Sequence, residues 1–150
     1  MTGWRWVVGI VLLAHGIGHV LGLIPLFAQD SVKGWDLHSW MLTDAVGESV
    51  SKAIGAALFA AGTIIFVLAG LAVLGWGVPI EWWKPLAVAG ATVSTLAVVL
   101  FWNAFPALVP NKIGALAVNV VILGNWINVW AWPTDEMLDQ AASVGTETTI

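Results

Sequence analysis

The chain is short of charge. Its 150 residues include only five lysines and arginines and nine acidic residues, 9% charged in all, where an ordinary soluble domain carries about a quarter. With 59% hydrophobic residues and a mean hydropathy of +0.91, that shortage reads as an integral membrane protein, and the lipid bilayer as its first partner. Cysteine is absent, which removes a disulfide framework, a thiolate metal site and a thiol nucleophile, and leaves the compartment unread from redox usage. The net charge is −4. Five scattered basic residues leave no footprint for nucleic acid.

What charge there is falls at Arg5, between Asp30 and Lys52, at Glu81, Lys84 and Lys112, and from Asp135 onward, leaving four uncharged runs. Each run holds the ~20 apolar residues that a helix needs to cross a hydrocarbon core of about 30 Å. Lipid offers the backbone no hydrogen bonds, so continuous apolar runs read as helices; barrel strands would alternate. The expected fold is an all-α integral membrane protein, an antiparallel bundle of four transmembrane helices spanning 4–27, 53–76, 84–102 and 113–132. Trp4, Trp6, Trp76, Trp82, Trp83, Trp102, Trp130 and Trp132 mark the span ends as an interfacial belt does. Pro79, Pro85, Pro106, Pro110 and Pro133 lie at or between those ends, while Pro25 should bend or end the first helix. The first run is read as a retained helix, because Leu26-Phe27-Ala28 stands where a small-x-small cleavage site would be. Four spans would place both termini on one side. Arg5 and Lys84 there oppose Lys33, Lys52 and Lys112 on the other, too even a split to orient the bundle.

The connection 28–52 is long for a helical bundle. Within it, Trp35, Leu37, Trp40 and Met41 alternate with Asp36, His38, Asp44 and Glu48. That pattern suits either an amphipathic interfacial helix over about 34–48 or a solvated loop anchored by tryptophans. Residues 133–150 read as a polar tail with a helix start at Thr134-Asp135-Glu136.

Two histidines interrupt the first apolar run, in Ala-His-Gly-Ile-Gly-His-Val-Leu-Gly from Ala14 to Gly22. On an α-helix His15 and His19 share a face, together with Val8, Leu12, Gly18, Gly22 and Leu26. Gly18 and Gly22 make a small-xxx-small pair that should admit a neighbouring helix, so the histidines are expected to face the bundle. At about 1.5 Å of rise per residue, His15 lies ~16 Å and His19 ~22 Å from the terminal side. Asn119 and Thr63 come out at ~20 Å, and Ser94 and Thr95 at ~15–17 Å. His15, His19, Asn119, Thr63, Ser94 and Thr95 are therefore the candidate site residues.

Two readings of the pair stay open. In one, neutral imidazoles hydrogen-bond to Asn119, hydroxyls or carbonyls and hold helices together. In the other, they bind a ligand. A hydrolytic zinc centre is not expected, since the chain has no Glu in the His-Glu-x-x-His position and no acid or cysteine within its spans. Two histidines one turn apart cannot be both axial ligands of one haem, which leaves single axial ligation, or a lipophilic carbonyl compound such as a quinone. The second run, rich in glycine and alanine, reads as a packing face; Asn103 and Asn111 read as caps or turn residues, and Asn125 and Asn128 as interfacial.

The segments His-Gly-Ile-Gly-His-Val-Leu-Gly, Glu-Trp-Trp-Lys-Pro-Leu-Ala-Val and Ile-Gly-Ala-Leu-Ala-Val-Asn-Val-Val-Ile-Leu-Gly-Asn-Trp resemble a group of small prokaryotic four-helix membrane proteins. Their first helix carries a similar His-Gly-x-x-His pattern and their last a Gly-x-x-x-Asn-Val-like stretch, here longer by one residue between Gly114 and Asn119. Some are labelled permease-like. More distantly the architecture is similar to DoxX-like four-helix proteins, a group that includes a membrane subunit of a quinone-linked oxidoreductase. The resemblance implies a multi-pass protein of a prokaryotic plasma membrane, a quinone or partner-subunit role, and His15, His19 and Asn119 as the positions of interest. The leading expectation is a subunit or binding protein that holds a lipophilic ligand at mid-membrane. The alternatives are an accessory subunit of a complex, or a homo-oligomer, with no ligand of its own. A transporter ranks last, because only the first run carries ionisable groups.

Overall fold

Hydrogen-bond demand in lipid and the apolar runs together dictate helices, and the computed structural model is all-helical among its described residues, 3–28, 35–105, 108–127 and 138, with no side-chain description at 108–110. In chain order the α-helices are α1 (Gly3–Gly18), a single turn α2 (Thr43–Val46), α3 (Glu48–Leu74), α4 (Trp83–Leu100) and α5 (Gly114–Trp126). Three helical stretches, Gly3–Leu26, Glu48–Leu74 and Ile80–Leu100, are long and apolar enough to cross a membrane. A wider π turn, Leu108–Ile113, leads into α5. The last expected span, 113–132, is helical through Trp126, and its final residues lie outside the described set.

The first span is not one α-helix. After Gly18 it tightens into a 3₁₀ helix, His19–Leu26, with Pro25 inside it. Proline cannot donate to the carbonyl four residues back and its ring clashes there, while glycine gives an α-helix little support. Three residues per turn align His19, Gly22 and Pro25 along one line, and these three are its buried residues. Leu26, placed on that face by α-helical counting, is only partly buried. Gly18 departs from expectation as well. A Cβ there would meet nothing within 4 Å, whereas one at Gly22 would lie 2.7 Å from the Phe59 ring.

The glycines that seat α1 on α3 are Gly9, Gly16 and Gly70. A Cβ on Gly9 would strike Leu74, one on Gly16 would lie 2.9 Å from Phe66 Cβ, and one on Gly70 would lie 3.0 Å from the Gly9 carbonyl oxygen. At the C-terminus of α3, Gly75 takes the left-handed conformation (φ 70°) and its N–H caps the last turn. Arg5 Nε donates to the Val73 carbonyl there at 2.9 Å, tying the start of α1 to the end of α3. Close backbone packing joins α1 to α3, α3 to α4 and α4 to α5. Among the described residues no comparable packing joins α5 to α1, and a seam runs between them.

Two apolar clusters fill the interior. One contains Leu12, Phe66, Ala69, Val73, Trp83 and Ala87; the other contains Leu37, Phe59, Val98, Phe101 and Phe105. The segment before α2 is not an amphipathic helix but a partly exposed loop anchored on the bundle by its tryptophans, and Leu37 enters the second cluster from it. Trp35 Nε1 donates to the Ala104 carbonyl and Trp40 Nε1 to that of Val99. Helix is confined to Thr43–Val46 within that stretch. The polar tail also departs from expectation at one point. Leu138 is 1% exposed and belongs to the first cluster; the rest of 133–150 lies outside the described residues. Leu138→Ala is accordingly expected to destabilise the protein by about 2 kcal/mol or more, read as a lowered Tm in detergent. An unchanged Tm would remove Leu138 from the core.

Candidate functional site

The site lies where the two clusters meet, on the inner face of the first span. His15 is on the last full turn of α1 and His19 opens the 3₁₀ helix. Their rings meet edge to face, with centroids 4.8 Å apart. The His15 ring stands against Phe66 at 4.4 Å, and the His19 ring lies 6.1 Å from Phe59 and 5.9 Å from Phe66. These partners all come from one face of α3, where Phe59, Gly62 and Phe66 recur at helical spacing. Gly62 makes room for the pair: a Cβ on it would lie 2.8 Å from His19 Cδ2. Sequence reasoning missed this Phe-x-x-Gly-x-x-x-Phe stripe, although its period was readable.

Across the seam, Asn119 of α5 reaches His15. Asn119 is 1% exposed, its Nδ2 donates to Ser94 Oγ at 2.8 Å and to Thr95 Oγ1 at 3.2 Å, and its Oδ1 lies 3.1 Å from His15 Nε2. The tautomer follows from the network. Thr95 donates its own proton to the Ala91 carbonyl at 2.7 Å, so it can only accept from Asn119. Asn119 must therefore turn its amide nitrogen toward α4 and its oxygen toward His15, and His15 donates through Nε2–H. Four of the six expected residues, His15, Asn119, Ser94 and Thr95, form one hydrogen-bonded chain through α1, α5 and α4. Thr63 does not join it, because its hydroxyl donates to the Phe59 carbonyl of its own helix at 2.9 Å.

His19 is brought to the site with one ring nitrogen, Nε2, unpaired among the described residues. It is 2% exposed, and its Nε2 is a buried nitrogen with no hydrogen-bond partner among the described residues. Burying such a group unpaired costs about 1–3 kcal/mol. Beside it, a cavity of about 370 Å³ opens in the seam, bordered by both histidines, Gly18 and Leu21 on one wall and by Asn111, Gly114 and Val118 on the other. Asn111, expected as a cap or turn residue, thus reaches the cavity edge.

The donor set admits some ligands and not others. Among the described residues no group of three or more His, Cys, Asp or Glu gathers to hold a metal. Among the described residues no lysine or arginine borders the cavity to receive haem propionates, and of the two imidazoles His15 is engaged through Nε2 by Asn119 while His19 Nε2 is unpaired. A neutral head bearing a carbonyl or hydroxyl fits the polarity of the walls. No protein-family model, curated protein or solved structure matches this chain.

Proposed function

We propose that this chain is a four-span protein of a prokaryotic plasma membrane that binds a neutral lipophilic compound with a carbonyl head, a quinone above all, at His15, His19 and Asn119. The fourth span of this reading includes α5, whose 13 residues cover about 20 Å. The prokaryotic setting rests on the resemblance of the histidine and Asn119 segments. One observation carries the binding role: the buried, unpartnered Nε2 of His19, on a ring that borders a cavity of about 370 Å³. Buried polar atoms in native proteins almost always have a partner, and a carbonyl oxygen would provide one.

The closed His15–Asn119–Ser94 chain favours a second reading, an accessory subunit in which the histidines only join helices. Gly18→Leu separates the two. A Cβ at Gly18 meets no atom within 4 Å, and a longer side chain would extend from a residue that borders the cavity without replacing either histidine. Protein purified gently from its membrane should carry a stoichiometric lipophilic compound, detected by extraction and absorption spectroscopy. Gly18→Leu and His15→Ala/His19→Ala should both lose it while remaining folded. If parent and variants carry nothing extractable, the ligand reading fails and the accessory reading stands.

A further inference from the structure

A second opening lies in the same seam. About 280 Å³ in volume, it is bordered by α1, α4 and α5, and its walls are apolar except at one end, where Lys84 and Asn125 stand beside Trp83 and Trp126. On α5 it runs from Ala117 to Trp126, about 14 Å along the helix axis. Val11 and Val118 border this groove and also border the histidine cavity. The seam is thus divided by polarity into a compartment with imidazole and amide groups and an apolar one lined mainly by valine, alanine, leucine and isoleucine, with a pair of valines common to both.

From this adjacency we propose that the groove holds the apolar chain of the molecule whose head lies at the histidines, so that the ligand is a head with a long hydrocarbon or isoprenoid tail, lying along the α1–α5 seam past Val11 and Val118. The inference rests on the ligand reading above and adds the tail and its path. The tail runs from Val11 and Val118 toward the tryptophan end, with its far end near Trp126. Two of its wall residues, Val7 (46% exposed) and Val121 (38% exposed), are exposed among the described residues, which gives a tail a lateral way in from lipid.

The test uses two quinones with one head, the chainless dimethoxy-methyl-benzoquinone and its decyl derivative, titrated against the full chain in detergent with thermal stabilisation as readout. Ligand bound only to the folded state raises Tm in a way that yields Kd. In the parent protein the decyl compound should bind about tenfold tighter or better, the gain expected from burying a couple of methylenes or more. Ala117→Phe and, from the facing wall, Val7→Phe place a ring in the groove at exposed positions. Each should reduce the chain's advantage to near unity while leaving Kd for the chainless quinone within about twofold. Kd is referred to the free quinone outside the micelles, and any remaining partition effect, common to all variants, cancels when a variant's ratio is divided by that of the parent. An undiminished advantage in both variants overturns the groove assignment and leaves the histidine site standing. No binding of either quinone to the parent would overturn the ligand reading itself, and the inference with it.

Discussion

Gly16→Val should largely abolish the folded bundle. A Cβ at Gly16 would lie 2.9 Å from Phe66 Cβ and 3.1 Å from both the Thr63 carbonyl oxygen and the Val67 amide nitrogen. Two of these three atoms are backbone in the middle of α3, so they cannot swing aside as a side-chain tip would. Overpacking a well-fitted contact costs about 1–3 kcal/mol, and more where backbone must move. Valine adds two methyl groups beyond alanine, and the expected loss exceeds about 3 kcal/mol. Gly18, two residues on, is the control. With open space around it and right-handed helical backbone, Gly18→Ala should be neutral or stabilise by up to about 1 kcal/mol. Thermal unfolding of the two variants in one detergent, followed by circular dichroism, checks the ranking. The reverse order would mean that α1 turns a different face to α3.

The second large effect is expected at Asn119. Asn119→Ala removes hydrogen bonds to His15, Ser94 and Thr95, each worth about 0.6 kcal/mol within a membrane and up to roughly 1.7. Together they predict a loss of about 2 kcal/mol. Serine and threonine can satisfy themselves on the preceding turn, as Thr95 already does on Ala91. His15 has no such recourse, so the penalty should concentrate there. A double-mutant cycle with His15→Ala should return a coupling of about 0.6 kcal/mol or more. Thr63→Val, at the same depth but outside the network, should change stability by less than about 0.5 kcal/mol. A cycle with no coupling would contradict the His15–Asn119 bond.

Depth was legible from residue number, and rotation was not. Counting rise per residue placed His15, Asn119, Ser94 and Thr95 at one level, and they do meet. Thr63 stood at that level too, yet its hydroxyl turns back onto Phe59. Depth along a helix is a linear function of position, whereas azimuth depends on how each helix is turned against its neighbours. The face of the first span was misjudged in part for a local reason. Past Gly18 the winding changes from 3.6 to 3 residues per turn, which exchanges Leu26 for Pro25 on the buried line. Boundaries drawn from charge also shortened α3. It begins at Glu48, not residue 53, because Glu48 and Lys52 pair at 2.6 Å one turn apart and carry their charge within the first turns of the helix. The 35–42 segment was ambiguous because its tryptophans could have sought lipid headgroups as readily as the carbonyls of Ala104 and Val99.

The sequence by itself determined that the chain is helical, how long its apolar runs are, and that imidazole, amide and hydroxyl groups lie at a common depth. The reason is that scarce charge and a self-satisfied backbone leave few alternatives to apolar helices. Only the tertiary structure decided that Gly16 rather than Gly18 seats α1, and that among the described residues His15 is satisfied by Asn119, His19 Nε2 is not, and a cavity in the α1–α5 seam borders both histidines. Those outcomes depend on contacts between residues far apart in the chain. They are set by where a missing Cβ lets two backbones approach, and by which helix pair is left apart once the others have closed.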